Sequence, residues 1–236
     1  MPRSIRAAGF ALALLMASSP ATTSTAIHAA AARPQAKLPA PNACRDGAYT
    51  FNGSRWTKPL EWSFRAVSAP KGVTRRAAEL ALQRAARNIV TGRNDCGLED
   101  KISATQHYLG RTHLSTGISD DSQCGEPDGH NVVGFGGLLP TEMALTCWWS
   151  QNGSTVEVDI KLNKVDYRWE ANAVSTCRLA WSIESVATHE FGHAFGLDHV
   201  GEGLHGTLTM SPLIAPCENG EATLGLGDVR GLRARY

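Results

Sequence analysis

The sequence has no marked excess of either charge. Its 23 Lys and Arg residues and 22 Asp and Glu residues leave a formal net charge of +1 over 236 residues. A broad nucleic-acid-binding surface needs a clear basic excess, because it must neutralise phosphates. Attraction to anionic membranes also depends on clustered basic residues. We therefore expect no nucleic-acid partner and no electrostatic membrane binding.

The sequence also lacks an apolar run long enough for a transmembrane helix, which needs roughly 20 residues. The apolar run at the start, AAGFALALLMA, covers only the 11 residues 7–17. Arg3 and Arg6 precede it and small residues follow it, which is the pattern of a secretory signal peptide. We predict a signal peptide over 1–31, with its cleavage site within 26–32. A membrane anchor is the alternative.

The rest of the chain is long enough for one folded domain. Residues 32–43, rich in Pro and Ala, are typical of a linker. Residues 44–236 can bury a sizeable core as a single domain. We predict that this domain is secreted, extracellular and monomeric, with no membrane association after the signal peptide is removed.

No pair of cysteines has the C-x-x-C spacing, which disfavours a cysteine-rich zinc knot. An even number of cysteines in an exported chain favours disulfides, and six cysteines allow 15 pairings. The alternative is a set of free buried thiols. We predict that neighbours along the chain pair, as Cys44–Cys96, Cys124–Cys147 and Cys177–Cys217.

Hydrophobic periodicity predicts helices and strands in alternation. The predicted helices cover 73–92, 181–196 and 224–236. The predicted strands are a pair with a turn within 49–67, and single strands over 130–137, 143–149 and 154–163. In the last of these, Val156, Val158 and Ile160 alternate with charged residues, which indicates a half-buried strand. Thr74 is positioned to cap the first helix.

Two histidines four residues apart lie on one face of a helix and can bind a single metal ion. His189 and His193 have this spacing in HEFGH. Glu190 lies beside the first histidine but is rotated away from it, so it can hold a water molecule instead of the metal. Gly196 lets the chain turn, because glycine adopts a positive φ without steric cost. That turn would return His199 to the ion as a third ligand.

The pattern HEFGHAFGLDH, with Met210 downstream and the ending GDVRGLRARY, resembles the metzincin zinc endopeptidases, most closely the matrixins. The resemblance is specific over 181–236 and loose over 44–165. It implies an α+β fold with a twisted, mostly parallel sheet and two long helices. It also implies an active-site cleft above a small C-terminal lobe.

The resemblance implies a secreted zinc-dependent endopeptidase acting on proteins or peptides. His189, His193 and His199 would bind one catalytic Zn²⁺. The zinc would activate a water molecule, Glu190 would take its proton as general base, and the hydroxide would attack a peptide carbonyl. Glu190 would then pass the proton to the leaving amine.

The resemblance also implies how substrate is held. Met210 would form the tight Met-turn under the metal. Ser211, Pro212 and Leu213 would form one wall of the pocket for the residue after the cleaved bond. An edge strand within 136–149 would hold the substrate in extended form by strand addition.

Two departures from the matrixin pattern leave alternatives open. Val200 follows the third ligand where matrixins usually carry Ser, and Gly227 stands where their closing helix often has Asp. One alternative is a metzincin outside the matrixins with narrow specificity. The other is a secreted zinc-containing binding protein without activity, although such a protein has no need for Glu190.

Asp198 is a rival third ligand, because some related secreted proteases use Asp at that place. The regular spacing favours His199. His205 is out of register with the metal-binding pattern, and we expect it to be a surface loop residue.

Other residues suggest further ligands or a latency switch. CGEPD, which contains Cys124, resembles the matrixin propeptide sequence whose cysteine blocks the zinc. Its position after the first helix, and the odd number of cysteines it would leave, favour a disulfide instead. A structural Ca²⁺ site could be formed by Asp120, Asp121 and Asp128, and the alternative is a polar loop without metal. A second zinc site could be formed by His107, His113 and His130, although their spacing gives no support.

Overall fold

The computed structural model describes residues 23–31, 42–53, 55–171 and 177–236. The predicted signal peptide and linker therefore lie outside the described residues, apart from 23–31 and 42–43. Within the described ranges, no helix has the length and apolar character needed to cross a membrane.

Eleven strands are present among the described residues. They are β1 (Thr23–Ala31), β2 (Thr50–Phe51), β3 (Leu60–Phe64), β4 (Gln106–Arg111), β5 (Val132–Gly136), β6 (Glu142–Gln151), β7 (Ser154–Asn163), β8 (Trp169–Glu170), β9 (Trp181–Ser182), β10 (Leu197–Asp198) and β11 (Leu213–Ile214). Seven of them form one sheet in the order β11-β1-β6-β7-β5-β3-β4. The pairs β2–β10 and β8–β9 form two small sheets.

The large sheet is mixed. Strands β4, β3, β5 and β7 run parallel to one another. Strand β6 runs antiparallel to β7, and β1 runs antiparallel to β6 and parallel to β11. Together with the helices, this sheet confirms the predicted α+β class.

The described residues form four α-helices: α1 (Arg75–Thr91), α2 (Ile183–Ala194), α3 (Glu202–His205) and α4 (Leu226–Arg235). The Thr74 hydroxyl accepts a hydrogen bond from the backbone N–H of Ala77, which confirms the predicted cap of α1. Gly92 ends α1 with φ +69°, in the left-handed region. The second predicted helix begins two residues late, because Trp181 and Ser182 pair with β8 as strand β9.

Residues 49–67 contain two strands, but these do not form a hairpin. Strand β2 pairs with β10, whereas β3 lies inside the large sheet between β4 and β5. Strand β4 was not predicted. Its sequence, QHYLGR, has no run of apolar or β-branched residues that would indicate a strand.

The prediction that β7 is half-buried is wrong. Its polar side chains, Glu157, Asp159 and Lys161, are no more than 5% exposed. The loops around β5 cover that face and provide hydrogen bonds, so the polar groups are buried with partners. The backbone N–H of Val132 donates to Asp159 Oδ1 (2.8 Å), and Lys161 Nζ donates to the carbonyl of Ile118 (2.9 Å).

All three predicted disulfides are present. They join Cys44 to Cys96, Cys124 to Cys147 and Cys177 to Cys217. The second bond attaches the loop that contains CGEPD to β6, in a small core cluster with Ile118, Leu138 and Trp149. Cys124 is therefore part of a disulfide and does not act as a thiolate plug.

Candidate active site

Helix α2 and the turn after it position three histidines. Ser182 caps the start of α2 by accepting a hydrogen bond from the backbone N–H of Ser185 (3.2 Å). His189 and His193 lie one turn apart on this helix, and both are buried. Gly196 then takes φ +93°, which lets the chain reverse into β10 and bring His199 back to the helix.

The three imidazoles converge on one point. The Nε2 atoms of His189 and His193 are 3.0 Å apart, those of His189 and His199 are 3.0 Å apart, and those of His193 and His199 are 3.1 Å apart. Three or more His, Cys, Asp or Glu side chains could hold one metal ion if their ligand atoms all lie within 4.8 Å of one another. Among the described residues, only these three histidines meet that condition.

The tautomers of His189 and His193 suit the binding of a metal ion. His189 Nδ1 lies 2.7 Å from the carbonyl of Thr209, and His193 Nδ1 lies 3.0 Å from that of Leu197. A carbonyl only accepts, so each Nδ1 carries the proton and each Nε2 directs a lone pair inward. Burial lowers the pKa of His189 to about 3 and holds that of His193 well below its usual value. Neutral rings with converging lone pairs fit a zinc ion.

Asp198 and His205 lie outside the cluster. Asp198 Oδ1 accepts a hydrogen bond from the backbone N–H of His199 (2.7 Å), so this carboxylate holds the turn. His205 Nδ1 lies 2.8 Å from Oδ2 of Asp46, which is buried. His205 is therefore partly buried and paired with a carboxylate, and the expectation of a plain surface histidine is only partly correct.

Glu190 is fully buried beside the histidines. Its Oε2 accepts a hydrogen bond of 2.6 Å from the Thr146 hydroxyl on β6, and its Oε1 is buried with no protein partner. Burial raises the pKa of Glu190 to about 8, and the Thr146 hydrogen bond opposes that rise. A buried carboxylate with one free oxygen can accept a proton from a molecule bound at the histidines.

A tight turn at Met210 lies against α2. The Met210 side chain packs on Gly192, where a Cβ atom would overlap the Met210 sulfur. Backbone N–H groups of Thr209 (2.9 Å) and Met210 (3.2 Å) donate to the buried carboxylate of Asp228 in α4. Burial raises the pKa of Asp228 to about 6, although these hydrogen bonds oppose the rise.

The proposed pocket-wall residues follow this turn. Ser211 is buried, and its hydroxyl has no protein partner. Pro212 is partly buried, and Leu213 begins β11, which pairs with Ala30 of β1. The end of this segment therefore pairs with β1, the strand that lies between β11 and β6.

Two contributors to the site had no signal in the sequence. Thr146 is 44 residues away from Glu190 and reaches it only through the sheet. Asn52, at the end of β2, uses its side-chain amide to donate to the carbonyl of His193 (2.9 Å), and its backbone N–H donates to the carbonyl of Gly196 (3.1 Å). Asn52 therefore holds the turn that presents the third histidine.

The other candidate ligands have different interactions. Asp120 Oδ1 accepts a hydrogen bond from Lys161 Nζ (2.7 Å), and Asp128 caps the backbone N–H of His130 (2.9 Å). Asp121 accepts a hydrogen bond from the Ser119 hydroxyl. Neither these carboxylates nor the second histidine set, His107, His113 and His130, form a ligand cluster in the described part of the chain.

Comparison with known proteins agrees with this geometry. The sequence model of the Peptidase_M10 family, the matrixins, matches residues 126–236. A search of curated proteins found no matching relative. The matched part contains the three histidines, Glu190, the Met210 turn and strands β5, β6 and β7. Over residues 126–236 the chain therefore resembles the matrixins, a family of zinc metallopeptidases, and its three-histidine cluster is consistent with a metzincin zinc site.

Proposed function

We propose that the protein is a secreted zinc endopeptidase that hydrolyses peptide bonds in proteins or peptides. The observation that carries this proposal is the convergence of three Nε2 atoms, two of them from buried histidines, beside the unpartnered Oε1 of Glu190. A purely structural zinc site closes its coordination with four protein ligands. Three ligands and an adjacent buried carboxylate are typical of a catalytic one.

We assign His189, His193 and His199 as the ligands of one zinc ion. When bound, zinc supplies a Lewis acid that lowers the pKa of water towards about 7 and polarises a carbonyl. The carbonyls of Thr209 and Leu197 hold two of the rings in the required tautomer through their Nδ1 protons.

Glu190 is the proton carrier in this mechanism. Its Oε2 is held by Thr146, so the free Oε1 is the atom that accepts the proton of the attacking water. Glu190 then gives that proton to the leaving amine. Its buried position keeps bulk water away, which strengthens these electrostatic interactions.

We infer that the substrate binds in extended form along β6. This strand lies next to the catalytic carboxylate through Thr146, and β11 follows directly after the Met210 turn. A peptide between the two strands gains backbone hydrogen bonds from both sides. Ser211, Pro212 and Leu213 would then line the pocket for the residue after the cleaved bond.

Secretion is part of the proposal. The support is the sequence pattern of a signal peptide together with the three disulfides, which persist in oxidising compartments. We propose that the mature enzyme acts as a monomer outside the cell.

The test of catalysis compares Glu190→Gln with the wild-type enzyme on casein. The substitution keeps the shape of the side chain and removes its basicity. We expect activity to fall at least 100-fold while zinc content stays near one per chain. Glu218→Gln, at an exposed position outside the histidine cluster, is the matched control and should remain active. Full activity of Glu190→Gln would reject the mechanism.

The test of the ligands measures zinc per chain. His199→Ala should lower it well below one, whereas Asp198→Asn should change it little, because an amide oxygen can still accept from the N–H of His199. The reverse pattern would make Asp198 the third ligand. Zinc binding by a wild-type protein that cuts no substrate in a peptide library would favour the alternative of a binding protein.

A further inference from the structure

Strand β1 comes from the segment directly before the linker, and it lies between β6 and β11. Its backbone pairs antiparallel with β6 from Thr23, opposite Ser150, to Ala30, opposite Glu142. It also pairs parallel with β11, where Ala30 lies opposite Leu213. The amino-terminal segment of the chain thus satisfies strand edges that would otherwise be open.

The groove that β1 fills runs past the catalytic residues. Ile27 of β1 pairs with Thr146, the residue whose hydroxyl binds Glu190. The last two residues of β1, Ala30 and Ala31, pair with β11, which begins three residues after Met210. A peptide that binds to the same strand edges must displace β1, because each edge can pair with only one strand at a time.

The segment has the composition of an extended strand that can be displaced. Its sequence, TSTAIHAAA, contains no charged Asp, Glu, Lys or Arg residue and no proline. Proline is absent within the strand but present on either side, at Pro20 and Pro34. Because it is tethered, the segment has an effective concentration at the groove on the order of 1 mM. Many substrates have lower KM values and are present at lower concentrations than this.

We propose that residues 23–31 are an inhibitory strand of the unprocessed chain. They occupy the substrate groove between β6 and β11, and cleavage of the export segment opens it. This inference rests on the proposed function, because it takes the groove to be the substrate site. It assigns the role of a latency device to the segment that ends the predicted signal peptide.

The activating step is hydrolysis of one peptide bond within 26–32 by the peptidase that removes export segments. Water adds its hydroxyl to the carbonyl carbon, the C–N bond breaks, and the leaving amine takes the proton. Cleavage after Ala26 leaves only Ile27–Ala31 of the strand. Cleavage at the end of the region leaves none of it, so processing weakens or abolishes the pairing.

The first experiment measures occupancy of the groove without relying on activity. The full chain carries Glu190→Gln and a site for a specific protease inserted after Gln35. Cell-free synthesis under disulfide-forming conditions keeps it unprocessed. Hydrogen exchange is followed before cleavage, and again after cleavage and removal of the fragment. We expect at least tenfold faster exchange over 142–151 after cleavage.

Strand β7 provides the internal control for this experiment. Its partners, β5 and β6, remain in place after cleavage, so exchange over 154–163 should not change. Unchanged exchange over 142–151 would overturn the proposal.

The second experiment measures the activity of the same chain with Glu190 intact. Cleavage after Gln35 should raise kcat/KM on a fluorogenic peptide at least tenfold. Ile27→Pro in the uncleaved chain should raise it as well, because proline has no N–H to donate and disrupts the pairing of β1 with β6 at the position opposite Thr146. Gln35→Pro, outside the strand, is the matched control and should leave the uncleaved chain latent.

The outcomes separate the two proposals. Equal activity before and after cleavage would overturn the inhibitory role and leave the peptidase function intact. No activity in either form, with exchange that still increases after cleavage, would overturn the peptidase function and the inhibitory role together.

Discussion

Gly192 of α2 lies against Met210: a Cβ atom on residue 192 would overlap the sulfur and come within 3.1 Å of the terminal methyl carbon. Gly192 is also one residue before the second histidine of the cluster, His193. The turn at Met210 can therefore approach α2, which carries two of the three clustered histidines, closely only where the helix has no side chain.

Replacing this glycine should damage the site. In Gly192→Ala, the added methyl group must displace Met210 or shift the helix, at a cost of about 1–3 kcal/mol. The higher helix propensity of alanine returns up to about 1 kcal/mol. We expect a lower midpoint of thermal unfolding and weaker zinc binding, measured by competition with a chelator.

Two further variants test the cause. Gly203→Ala, in α3, places its methyl group where no atom lies within 4 Å, and it should not weaken zinc binding. Met210→Ala added to Gly192→Ala removes the overlap and should recover part of the zinc affinity. An unchanged zinc affinity in Gly192→Ala would show that the contact does not matter for the site.

The hydrogen bond from Thr146 to Glu190 should affect activity more than zinc binding. Thr146→Val keeps the shape of the side chain but leaves Glu190 Oε2 buried without its donor. Loss of a group that orients a catalytic residue at a metal site typically costs about 10–100-fold. We expect kcat to fall by that factor at unchanged zinc content.

Thr146→Ser is the matched control, because it retains the hydroxyl and loses one methyl group. It should keep most of the activity. If Val and Ser reduce kcat equally, the packing of the methyl group matters and the hydrogen bond does not.

The histidine cluster could be predicted because its arrangement is local. His189 and His193 share one helix face through their spacing, and Gly196 with φ +93° makes the turn that returns His199. The caps of α1 at Thr74 and Gly92 are equally local, since each depends on a few neighbouring residues. Local patterns of this kind predict the same local structure irrespective of how the rest of the chain folds.

Apart from the disulfides, contacts between distant segments could not be predicted. Asn52 reaches the carbonyl of His193 across 141 residues, and no spacing rule connects the two. The same limit explains the error on β7. Alternation predicted a solvent-exposed face, but the loop with Ile118 and Asp120 folds over it and binds Lys161.

The disulfide between Cys124 and Cys147 should contribute strongly to stability. It closes a loop with a sequence separation of 23 residues, for which loop-closure entropy gives about 3 kcal/mol. We expect the double variant Cys124→Ala, Cys147→Ala to lose roughly that free energy of unfolding in urea. Zinc content should not change, because neither cysteine belongs to the histidine cluster. A rise in activity in the single variant Cys124→Ala would instead support a cysteine switch.

The buried carboxyl of Asp159 should make stability depend on pH. Burial, with smaller contributions from Glu157 and Asp128, raises its pKa from 3.8 to about 9. Between these two values the folded state holds a proton that the unfolded state has lost. The stability of the wild-type protein should therefore fall as pH rises through this window.

Asp159→Asn removes this titration and keeps an oxygen that can accept from the N–H of Val132. Its free energy of unfolding relative to wild type should increase steadily from pH 4 to pH 8, measured by urea denaturation. Asp121→Asn changes the same charge at an exposed position and should show little of this trend. A difference between Asp159→Asn and wild type that stays constant or shrinks with rising pH would mean that the carboxylate is stabilised in its ionised form. In that case a cation near Asp159 becomes the better explanation, since a bound cation favours the charged carboxylate. The calcium ion considered for Asp120, Asp121 and Asp128 is one such cation.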